Sequence, residues 1–111
     1  MTDMTTENGT PVLDLLARMT ADSLDASNLD EETLMLVRVA ALVAVGAPAV
    51  SYGLNLRVAG AMGIDAEKVR GVLAAVAPIV GTARVAAATG NIVKALAVAI
   101  EVAELDAQDE V

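Results

Sequence analysis

Ser51, Tyr52 and Asn55 stand in a stretch, Val39 to Leu56 (VAALVAVGAPAVSYGLNL), that carries no charge at all. Arg38 closes it on one side and Arg57 on the other. On a helix, Pro48, Ser51, Tyr52, Asn55, Ala59 and Met62 share one broad face, because residues three and four apart are neighbours. Leu54, Val58 and Ala61 form another. Further along, Arg84 and Asn91 are seven apart and share a face, beside the small residues Ala87, Ala88 and Ala95. These groups could hold a small carboxylate. Arg84 would anchor the anion, Ser51, Asn55 and Asn91 would orient it, and Tyr52 would donate a proton. That last role needs Tyr52 to titrate well below its reference pKa of about 10. The same groups can instead cap helix ends and bridge subunits, since a buried polar group requires a partner. Arg84 has Val80, Gly81, Ala87 and Ala88 at its helical-neighbour positions, with no acid among them. Its partner is therefore an acid from another segment, backbone carbonyls at a helix end, or an anionic ligand near Ser51 and Asn55; otherwise it reaches solvent.

Composition removes most other chemistries. The 111 residues include no Cys and no His. Thiol nucleophiles, disulfides, thiolate metal sites and the commonest general base are thereby absent. The acids cluster at the two ends without the spacing of a Ca²⁺ loop, so neither metal nor cofactor is expected. Net charge is −8, divided as −7 over residues 1–35, +4 over 36–100 and −5 over 101–111. Without an aromatic-interleaved basic patch, nucleic acid is not an expected partner. The opening MTDMTTENGT lacks a basic and an apolar region of signal-peptide type, which predicts a cytoplasmic protein. The charge-free stretch reaches the lower limit for a membrane span, but Gly46-Ala47-Pro48 splits it and its polar residues add cost, so no membrane span is expected.

Helical punctuation organises the rest. Residues 1–9 read as a disordered leader. Thr10-Pro11 starts a first helix, with the hydroxyl as cap and Pro at the first turn, and Val12, Leu13, Leu16 and Met19 follow helical spacing. Asp30 caps a second helix with Leu34, Val37, Ala41 and Leu42 on its apolar face. Gly46 ends it, and Pro48 opens a third helix that runs to about Met62 and stops at Gly63. Asp65 caps a fourth, whose face is Val69, Val72, Leu73 and Val76. Pro78 and Gly81 break the chain, and Thr82 caps the last helix, expected to reach about Leu105. An acidic tail, 106–111, follows. The expectation is one all-α domain of about five helices over 10–105. Its Ala/Val core holds one aromatic residue, too little apolar area for a lone chain, so a homo-oligomer is expected.

The order of these features resembles the carboxymuconolactone decarboxylase and alkylhydroperoxidase D-like family. The resembling part runs from Asp30 to Leu96, about 60% of the chain. It carries the family's small-residue segment as Ala59 and Gly63, its capped helix as Glu67, Val69, Val72 and Leu73, and its helix opening after Gly as Gly81, Thr82 and Ala83. The resemblance implies an all-helical bundle assembled as trimers or hexamers, with the site near a subunit interface. The family's two redox cysteines fall at Pro48 and Ser51, its histidine at Asn55, and its upstream glutamate near Leu36. The relay is missing, so the resemblance implies a non-redox binding or accessory module, holding a small carboxylate or a protein partner. The alternative is a cofactor-free lyase or isomerase acting on a small organic acid.

Overall fold

The computed structural model describes residues 9–61 and 63–109. Among them are five helices and no strand: α1 Pro11–Ser27, α2 Glu31–Val45, α3 Ala49–Ala61, α4 Ala66–Val80 and α5 Thr82–Asp109. The leader expected over 1–9 lies outside the described residues except for Gly9. The chain divides into two compact units, residues 1–30 and 31–111.

The first unit is α1. Pro11 sits in its first turn as expected, but Thr10 makes no side-chain cap. Its hydroxyl donates to the Asp14 carboxylate at 3.3 Å instead. The helix stops at Asn28, whose φ of 54° lies in the left-handed region that short polar side chains tolerate. None of its residues is buried; Leu13, Leu16 and Met19 are all at least half exposed.

In the second unit, α2 turns into α3 through a tight helix end. The Gly46 N–H donates to the Val43 carbonyl and the Ala47 N–H to the Leu42 carbonyl. This pair of bonds needs a left-handed residue between them, and Gly46 supplies it at φ 71°. The end of α3 repeats the pattern: Gly63 N–H to Gly60 and Ile64 N–H to Ala59, with Gly63 at φ 86°. Ile64 then folds into the core beside Ala59 and Met35. Asp65 caps α4 as expected, accepting from the Lys68 N–H at 3.1 Å. Pro78 does not break α4. It lies in the last turn, where a missing N–H removes a single bond near the end, and the helix runs on to Val80. Gly81, not Thr82, takes the position before α5, which passes Leu105 to reach Asp109.

α3 packs along α5 and α2 along α4. Between them the main core gathers Val43, Ala47, Tyr52, Ala88, Ile92 and Ala95. The small Ala residues let the helices approach closely around one large ring, so the charge-free stretch of the sequence supplies the centre of this unit. No helix among the described residues is long and apolar enough to cross a membrane.

Candidate functional site

Of the five polar residues proposed from spacing, Arg84, Asn91 and Asn55 donate to backbone carbonyls within the fold. Arg84 donates from Nη1 to the Ala44 carbonyl at 2.9 Å, in the last turn of α2. A cation at a helix C-terminus satisfies an orphan carbonyl and faces the negative end of the helix dipole. Seven residues on, Asn91 donates from Nδ2 to the Ala47 carbonyl at 3.4 Å. The shared face of Arg84 and Asn91 thus holds α5 against the α2–α3 turn, with the Arg84 guanidinium on one helix-end carbonyl. Asn55 donates from Nδ2 to the Ser51 carbonyl at 2.9 Å, one turn back on its own helix. Both Ser51 and Asn55 are half-buried.

Tyr52 is fully enclosed among the side chains of the main core. Its phenolic oxygen has no hydrogen-bond partner among the described residues. Burial pushes its pKa up, because the phenolate would lose its hydration. This is the opposite of the shift that a proton-donating role would need. None of the five residues lines either of the two clefts described next.

Two clefts of this unit lie elsewhere. One, of about 310 Å³, opens between α3, α4 and α5. Its walls are apolar, with Leu56, Ile64, Val69, Leu73, Ile92 and Leu96 prominent, and Arg70, Thr89 and Asp65 are its polar groups. Asp65 is committed to the α4 cap, and the Thr89 hydroxyl donates to the Val85 carbonyl at 2.9 Å, one turn back on α5, which leaves Arg70 as the uncommitted polar group of the cleft. A concave apolar site of this size with a few polar groups is the usual form of a small-molecule site. The second, of about 440 Å³, is a groove between α3 and α5. Val50, Gly53, Leu54, Ala95 and Val98 line it, with Arg57 and Lys94 as its charged residues. Among the described residues no set of three acidic side chains could hold a metal ion.

The sequence reading placed the ligand anchor at Arg84 and passed over Arg57, Arg70 and Lys94. The signal was there, in the +4 balance of residues 36–100. Choosing among those cations requires knowing which lie beside a helix end and which beside a cleft. No protein-family model, curated protein or solved structure matches the chain.

Proposed function

We propose that this chain is a non-redox binding module for a small apolar carboxylate, built on the helical plan of the carboxymuconolactone decarboxylase-like family. The cleft between α3, α4 and α5 carries the reading: apolar walls around about 310 Å³, with Arg70 as the cation among the lining residues. The walls would take an aliphatic or alicyclic body, and Arg70 would take the carboxylate, where a planar fork can bind both oxygens. The helix order and the Gly46, Gly63 and Gly81 junctions support the family plan. The absence of Cys leaves no thiolate for peroxide reduction. The lyase alternative loses support from the raised pKa of Tyr52 and from the engagement of Arg84 and Asn91 with backbone carbonyls.

The test is thermal stability of the wild type, Arg70→Met and Arg84→Met in a panel of monocarboxylates of increasing chain length. A ligand should raise the wild-type Tm, and at a hundredfold excess over Kd the gain is about 2.7 kcal/mol. Arg84→Met should show the same increment from its own lower baseline, and Arg70→Met should lose it. The reading fails if no acid shifts the wild type, or if Arg70→Met responds as the wild type does.

A further inference from the structure

The groove between α3 and α5 poses a separate question. It joins an apolar floor to two cations, and α5 continues past it. A 28-residue helix is about 42 Å long, against about 20 Å for the 13 residues of α3. Ala95 is the last buried residue described on α5, and beyond it Leu96, Val98, Ile100 and Leu105 are exposed. The overhang is also where the charge changes sign. Lys94 lies in the groove, whereas Glu101 and Glu104 lie beyond it.

The spacing on α5 is self-complementary. Gly90, Lys94, Val98, Glu101 and Leu105 recur every three or four residues and share one side of the helix. Lys94 and Glu101 are seven apart, and the midpoint between them falls between Ala97 and Val98. A second α5 laid antiparallel about that midpoint sets Lys94 opposite Glu101 of the partner subunit, and the reverse, so the pair forms twice. The same register sets Leu105 opposite Gly90 of the partner subunit. A Cβ added at Gly90 would meet nothing within 4 Å, so that surface is open to receive it. Val98 meets Ala97 at the centre. The acidic overhang of one copy then lies along the cationic groove of the other.

We propose that the chain forms a two-fold symmetric dimer through antiparallel α5 helices, each copy placing its acidic overhang in the α3/α5 groove of the other. One surface is both donor and acceptor, as an isologous contact requires. The proposal is independent of ligand binding in the other cleft.

Charge reversal tests it on the full-length chain. Lys94→Glu leaves glutamate at both 94 and 101, and Glu101→Lys leaves lysine at both. Each variant alone confronts like charges twice across the axis. Sedimentation equilibrium should find the wild type dimeric at micromolar concentration. Each variant should dissociate several-fold more readily, because two exposed opposite-charge pairs become like-charge pairs. An equimolar mixture restores both opposite pairs, so it should return to dimer, with one copy of each variant by native mass spectrometry. Circular dichroism of each variant establishes that the helices are intact; if either unfolds, the wild type in rising salt replaces it, and its dimer should weaken. A monomeric wild type, single variants as dimeric as the wild type, or a mixture no more associated than its components would overturn the proposal.

Discussion

Tyr52 is the residue on which core and chemistry disagree most. A phenol enclosed without a hydrogen-bond partner carries an unrecovered desolvation cost of about 1–3 kcal/mol, while its ring fills the centre of an otherwise Ala/Val core. Removing only the oxygen should therefore help. Tyr52→Phe is predicted to be more stable than the wild type by about 1 kcal/mol in urea denaturation, and a clear loss of stability would mean that the hydroxyl has a partner. Burial also fixes the sign of the pH response. The pKa is raised in the folded state, so the Tyr52 contribution is intact below its unfolded value of about 10 and is lost as pH rises through the folded value. Because Tyr52 is the chain's sole tyrosine, tyrosinate absorbance reports it directly. That band should rise above pH 10 together with the loss of helicity, and the phenylalanine variant should keep its helices further into alkali. Tyrosinate forming at its ordinary pH in a fully helical chain would contradict the burial.

At the scale of the element, the helices were legible because glycine, proline and aspartate mark their ends chemically. Gly46, Gly63 and Gly81 each stand at positive φ, and Asp65 caps α4, all as the punctuation implies. Pro78 misled because the bond it removes and the clash of its ring with the carbonyl one turn back both fall at the end of α4, where little helix remains to be disrupted. Thr10 misled for a related reason: the Asp14 carboxylate accepts its hydroxyl instead. The candidate site was less legible. Helical spacing correctly put Arg84 and Asn91 on one face, but spacing does not say what the face meets. The answer lies forty residues away, at the α2–α3 turn. Arg84 thus acts as a brace between elements, and Arg84→Met is predicted to cost about 1 kcal/mol by loss of the helix-end bond. The measurement is chemical denaturation without added anion; an unchanged midpoint would remove the brace.

For the whole molecule, the division into two units sets where stability resides. Residues 31–111 contain both buried clusters, whereas α1 buries none of its residues and so lacks the packing of an apolar face that gives most helices their stability. Amide hydrogen exchange should therefore be fast over 11–27 and slow at Val39, Val43, Ala88 and Ile92. A chain starting at Glu31 should melt cooperatively within a few degrees of the full-length protein. Loss of cooperative melting on that truncation would place essential packing in the first unit. The composition correctly gives a small Ala/Val core, but it does not reveal that Tyr52 sits at its centre while Val45, Val50 and Leu54 of the charge-free stretch stay exposed.

Gly46 meets two demands at once. Its φ of 71° excludes most side chains, and a Cβ there would come within 2.9 Å of the Arg84 guanidinium. Gly46→Ala therefore incurs about 1 kcal/mol for the backbone and also displaces the brace. With Arg84 already shortened to methionine, the second penalty is gone. The two substitutions should be less costly together than the sum of each alone, by about 1 kcal/mol. The history of one position is thus written into the other: a lineage that first lost the arginine could explore alanine at 46 at roughly half the cost, whereas one that kept it would find that path closed.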